Sequence, residues 1–147
     1  MNEVTKPFDQ KLSDENDQRS RDVVKAYMQS AWGVKGYDFL MYEVDLIIKR
    51  GHSWVAFVEV EVRHWSSDLC PYPTIHVAKR KEKLLNQKLP VVFFAVTKSL
   101  RYAYWCKAED VLLSPVVEIK NKYVESNEYF YDVPINKFKL VRFKGST

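Results

Sequence analysis

Little in this chain could staple a small fold or anchor it in lipid. There are only two cysteines, Cys70 and Cys106, far apart and in no C-x-x-C pair. That excludes a disulfide-framed scaffold and the common zinc ribbons, and free thiols in a reducing cytoplasm are the expectation. The longest apolar run, Val91–Val96, is far too short to span a bilayer. Residues 1–12, MNEVTKPFDQKL, hold no apolar h-region, so no secretory signal is expected there, only a loose tail. No G-x-x-x-x-G-K-[ST] or G-x-S-x-G occurs, so P-loop and serine-hydrolase chemistry lack a motif. Internal repeats, low-complexity tracts and linkers are absent as well.

What is present fits one globular domain over residues 1–147. That length can bury a real core, and 46% hydrophobic with 14% aromatic residues is too apolar for disorder. The net charge of +4 is unevenly spread. Residues 75–107 carry Lys79, Arg80, Lys81, Lys83, Lys88, Lys98, Arg101 and Lys107 against the single acid Glu82. Eight cations and one acid make that segment +7, which leaves −3 for the remainder. Such a concentration suits a polyanionic partner.

The acids gather just before it, in residues 43–63, EVDLIIKRGHSWVAFVEVEVR. A strand has a period of two, so Glu59 and Glu61 share one face while Val58, Val60 and Val62 share the other. Two same-face carboxylates among apolar neighbours repel and are costly to desolvate. A hairpin centred on His52 would set Asp45 directly opposite Glu59. Three carboxylates would then converge, an oxygen-rich cluster suited to Mg²⁺ or Mn²⁺. A solvent-facing sheet edge, with the two glutamates merely solubilising it, is the competing reading.

In chain order, Ser13 is expected to cap a first helix, with Asp14 and Glu15 in its first turn. Val23, Val24, Tyr27, Met28 and Ala31 recur at helical spacing, and Gly33 can end it. YDFLMY (37–42) begins a strand-rich stretch running into the hairpin. A loop marked by Pro71 and Pro73 follows, then a second helix over about Thr74–Leu89, stopped by Pro90. VVFFAVT (91–97) reads as a buried strand, parallel to the one before the helix. A strand at Tyr102–Trp105, a helical turn at Ala108–Leu113 and short C-terminal β segments complete an α/β domain with a mixed sheet.

On the expected second helix, Val77, Ala78, Leu84 and Leu85 define an apolar stripe with Lys81 in its middle. His76, Arg80, Lys83 and Gln87 fall on a polar face. Lys81 either snorkels to water or reaches an anionic site on the sheet, which the three acids would supply.

Asp45, thirteen intervening residues and Glu59-Val60-Glu61 resemble the signature of the PD-(D/E)XK nuclease superfamily. The element order over roughly residues 13–97 is similar too, and Tyr72-Pro-Thr-Ile-His-Val-Ala-Lys-Arg-Lys81 looks like a pattern of small phage-type members. Two departures stand out. Val44 precedes Asp45 where a proline often lies before the acid, and Glu61 holds the usual lysine position. Some members move that lysine to the following helix, where Lys81 lies. The resemblance implies a restriction-endonuclease-like αβββαβ core, a mixed sheet flanked by helices, with extra β segments at the C-terminus. It also implies a Mg²⁺- or Mn²⁺-dependent deoxyribonuclease, in the host cytoplasm if viral. Asp45 and Glu59 would hold the metal with the Val60 carbonyl, and Glu61 would be a further ligand or the base. Lys81 would stabilise the developing charge, and His76, Lys79, Arg80 and Lys83 would contact the DNA backbone. A homodimer is the expectation for a small nuclease cutting both strands.

Two other readings remain open. One is a non-catalytic nucleic-acid-binding or assembly protein with a decayed site, Glu61 marking the decay. The other is a zinc site from His64, Cys70 and His76, with Cys106 or His52 as fourth ligand, an arrangement no familiar zinc motif has.

Overall fold

The computed structural model describes residues 10–39, 44–120 and 128–144. Helix α1 (Gln10–Trp32) is followed by β1 (Lys35–Asp38), β2 (Leu46–Arg50) and β3 (Ser53–Arg63). Then come β4 (Thr74–Ala78), a 3₁₀ turn (Lys79–Lys81), α2 (Glu82–Leu85) and β5 (Val91–Thr97). The chain continues through β6 (Tyr102–Lys107), α3 (Ala108–Leu112), β7 (Val116–Ile119), β8 (Glu128–Pro134) and β9 (Lys139–Arg142).

Six strands form the central sheet in the order β1-β2-β3-β5-β6-β9, and β4-β8-β7 form a second. Only β3 and β5 run parallel, from Phe57 opposite Val91 to Arg63 opposite Thr97, so the central sheet is mixed. Alternation along these two strands feeds two cores. Val58, Phe94 and Val96 face α1, where Val24 and Met28 are fully buried. Phe57, Phe93 and Ala95 face the other way, onto Ile75 and Val77 of β4, Tyr131 and Val133 of β8, Leu85 of α2 and Val111 of α3. Strands covered on both faces read as continuous apolar runs, which is what VVFFAVT is. Each fully buried Phe or Val contributes about 1.5–3 kcal/mol. Gly33 ends α1 with φ +66°, a left-handed conformation that glycine adopts without strain.

The expected α/β class, mixed sheet, buried parallel strand and C-terminal strands are all present. Several expectations are corrected. Gln10–Leu12 belong to α1 rather than to a tail, and Ser13 lies inside the helix rather than capping it. The first strand starts at Lys35, and Leu40–Tyr42 of the expected stretch lie outside the described residues. The largest correction is Thr74–Leu89. Instead of one helix it is a strand, a 3₁₀ turn and a single turn of α-helix. Ile75 and Val77 are buried in alternation, and every residue of β4 pairs with β8. That partner, distant in sequence, outweighs the local helical pattern. The central sheet is consequently covered by one long helix on one face and, on the other, by a second sheet together with the short helices α2 and α3, rather than by helices alone. Among the described residues no helix is long and apolar enough to cross a membrane.

Candidate functional site

The hairpin register explains how the acids meet. Arg50 pairs with Ser53 and Lys49 with Trp54, but Ile48 pairs with Ala56 and Leu46 with Val58. Val55 is the extra residue of a β-bulge, which moves the pairing by one beyond it. Continuing that register brings Asp45 opposite Glu59. Without the bulge Asp45 would meet Val58, whose side chain belongs to the opposite face. Asp45 Oδ2 accepts a 2.8 Å bond from the Val60 N–H, which fixes its carboxylate against β3.

Glu59 stands on an apolar floor, beside the fully buried Phe93 of β5. Burial first, and then the Asp45 charge, push its carboxyl up to about 8 against the pull of Lys81. Burial also raises Asp45, opposed by the Val60 N–H and, more weakly, by Lys81 and Arg21. Glu59 Oε2 is buried and has no hydrogen-bond partner among the described residues. A proton or a small cation would satisfy this pair equally well, since either relieves the same uncompensated negative charge.

Lys81 offsets part of that charge. Its Nζ lies 3.0 Å from Glu59 Oε1 and 2.6 Å from Glu61 Oε2, with side-chain exposures of 14% for the lysine and 8% for Glu59. The 3₁₀ turn after β4 aims it there, because β4 lies over the face of the central sheet that carries the glutamates. Burial would depress the ammonium, but the two glutamates more than offset it and hold Lys81 above its ordinary value. Glu61 behaves oppositely to Glu59. Burial would raise it, yet Arg63 and Lys81 outweigh burial and keep it below the usual carboxylate range.

Arg63 is the residue that sequence reasoning missed. Its Nη2 lies 2.8 Å from Glu61 Oε1 and donates to the His76 carbonyl on the strand lying above. The signal was available, since period two puts residues 59, 61 and 63 on one face. Arg63 and Lys81 grip Glu61 from both ends, so the expected three-carboxylate convergence becomes an Asp45–Glu59 pair with Glu61 held aside. Among the described residues no three His, Cys, Asp or Glu side chains form a group that could hold a metal. His64, Cys70 and His76 are therefore not brought together, and the zinc arrangement fails. Cys70 instead donates to the Tyr72 carbonyl, and His76 Nε2 lies 3.1 Å from Asp132.

The basic residues expected to touch nucleic acid do not share one helix face. His76 sits on β4, its ring packed at a 32° tilt against Phe130 with centroids 5.7 Å apart. Lys79 pairs with Glu82 at 2.7 Å and lies over the Tyr131 ring. Arg80 and Lys83 are exposed on either side of Lys81 in the chain.

A divalent ion bound here would have two protein carboxylates to hold it, those of Asp45 and Glu59, and would have to complete its shell with water. Mg²⁺ keeps several waters and is usually held by one or two carboxylates, which Asp45 and Glu59 offer, with the orphaned Oε2 as an unused donor atom. No protein-family model matches the chain, and no curated protein matches it either.

Proposed function

We propose that this protein is a metal-dependent deoxyribonuclease of the PD-(D/E)XK kind, with Asp45 and Glu59 as the metal pair and Lys81 as the migrated lysine. One observation carries the reading: Lys81 reaches Glu59 and Glu61 together from the turn that follows β4. The succession of α1, three strands, the Lys81 turn with α2, and the parallel β5 supports a restriction-endonuclease-like core. When bound, a divalent ion supplies positive charge to the phosphoryl oxygens and acidifies water.

The chain's own groups do the rest. Asp45, oriented by the Val60 N–H, and Glu59 hold the ion. The Lys81 ammonium meets the charge that grows on the phosphoryl oxygens, where a preorganised cation in a dry site is most effective. Glu61, kept ionised by Arg63 and Lys81, accepts a proton from the attacking water. Arg80 and Lys83 steer the phosphate backbone without reading its sequence. The test is conversion of supercoiled plasmid in Mg²⁺ against EDTA, by wild type and by Asp45→Asn. Undiminished cutting by the variant overturns the assignment.

A second reading rests on the same salt bridges. Lys81 already neutralises part of the acidic pair, as it would in a decayed, non-catalytic nucleic-acid-binding or assembly module. Mn²⁺ separates the two. A nuclease is stabilised thermally by Mn²⁺ and loses that stabilisation in Asp45→Asn, whereas a decayed module gains nothing from the metal.

A further inference from the structure

A cleft of about 400 Å³ opens beside the turn that carries Lys81. Lys79, Arg80 and Glu82 line it from the turn and α2, and Glu128, Tyr129 and Phe130 from the start of β8. Its charges sort into two groups. Lys79 and Glu82 neutralise each other at 2.7 Å, which leaves Arg80 and Glu128 as the lining residues whose charges are not paired with each other or with that couple. Tyr129 is 51% exposed, a large ring outside both cores. Its neighbour Phe130 packs against His76, so Tyr129 is the more exposed ring.

We propose, resting on the nuclease reading above, that this cleft receives one unpaired base of the DNA strand whose phosphate lies at Lys81. The base stacks on Tyr129, its pairing edge meets Glu128, and Arg80 binds the neighbouring phosphate. Three features point this way. An aromatic face accepts any base, and a cleft of this size matches a small-molecule site. A carboxylate only accepts hydrogen bonds, and every DNA base presents an N–H on its pairing edge. In a duplex those donors are already used, so Glu128 suits a base without a partner and repels a phosphate in the same place. Arg80 links the cleft to the acids, because it directly precedes Lys81 and its charge reaches Glu61. The substrate class is therefore DNA with unpaired bases: single strands, frayed duplex ends, or the locally unwound stretches of a negatively supercoiled plasmid.

The experiment is fluorescence anisotropy in EDTA with a labelled oligothymidylate of about ten nucleotides, a length one such groove can cover, beside a blunt labelled duplex. Wild type, Tyr129→Ala and Tyr129→Phe are compared. Losing one base–aromatic stack should weaken single-strand binding about tenfold or more in Tyr129→Ala. Tyr129→Phe should retain it, and duplex binding should change less than about twofold. Equal single-strand affinity of wild type and Tyr129→Ala overturns the proposal. So does an equal loss on the duplex, or the absence of single-strand binding by wild type. Tyr129-dependent binding without metal-dependent cleavage sinks the nuclease reading and leaves the cleft standing. Cleavage with no role for Tyr129 does the reverse.

Discussion

Lys81 Nζ lies 3.0 Å from Glu59 Oε1, an ion pair between a turn and a strand twenty-two residues apart. It is the cation that makes a buried carboxylate pair tolerable, and the chemistry proposed for the site depends on it.

Lys81→Met should therefore be costly in two ways. Removing one partner of a buried ion pair typically destabilises by about 3 kcal/mol. The loss should shrink as pH falls, because Glu59 and Glu61 can then take protons instead. Cleavage should drop about a hundredfold or more, the scale for losing a preorganised charge at a developing oxyanion. Urea melts at two pH values and plasmid kinetics check both. A variant as stable and as active as wild type contradicts this role.

The raised Glu59 carboxyl has a definite sign in stability. Folded Glu59 binds its proton up to about 8, whereas the unfolded group releases it near 4.5. Between those values the folded state holds more protons, so metal-free stability is fullest below the lower value and declines as pH rises through the upper one. Glu61, whose carboxyl is lowered, acts only below its ordinary value, outside that window. Thermal melts in EDTA should show Tm falling with pH in wild type and much less so in Glu59→Gln. The same proton competes with metal, so Mn²⁺ affinity measured by calorimetry should strengthen as pH rises across that range. A pH-independent affinity would contradict a Glu59 ligand.

Arg63→Gln tests the grip on Glu61. The His76 carbonyl loses its donor and Glu61 loses one of two cations, a cost of about 1–3 kcal/mol. Glu61 should then titrate at higher pH, which shifts the acid limb of the cleavage profile upward. Arg63→Lys should recover little, since an ammonium cannot serve two acceptors with the geometry of a guanidinium fork. An unchanged profile in both variants removes Arg63 from the site.

Gly36 is where β1 passes closest to α1. A Cβ there would lie 2.7 Å from the Met28 methyl and 3.3 Å from Lys25 Cγ. Met28 is fully buried, so its methyl has little room to retreat. Gly36→Val should cost about 1–3 kcal/mol as an overpacked contact. A denaturant midpoint equal to that of wild type would show that α1 packs more loosely than described.

The legible and illegible parts of this chain divide along contact range. The hairpin, the face shared by Glu59 and Glu61, and the buried parallel strand follow from short periodicities and turn signals, and all are present. The bulge at Val55 leaves no local mark, yet it sets the register that brings Asp45 to Glu59. Thr74–Ala78 carries a local helical pattern but pairs with β8, a partner more than fifty residues away that no nearby residue announces. Lys81 does meet the acids, but for a different reason from the helical stripe that singled it out: a strand and a 3₁₀ turn deliver it. His76, expected on a DNA-facing helix, pairs with Asp132 across the second sheet, another contact that no local pattern carries.

The central claim is that Asp45 and Glu59 together hold a divalent ion beside Lys81. Anomalous scattering from Mn²⁺-soaked crystals measures it directly. The account predicts a peak within coordination distance of both carboxylates, with Lys81 adjacent, and its loss in Asp45→Asn. A peak elsewhere, or none at this pair in crystals saturated with Mn²⁺, would contradict it.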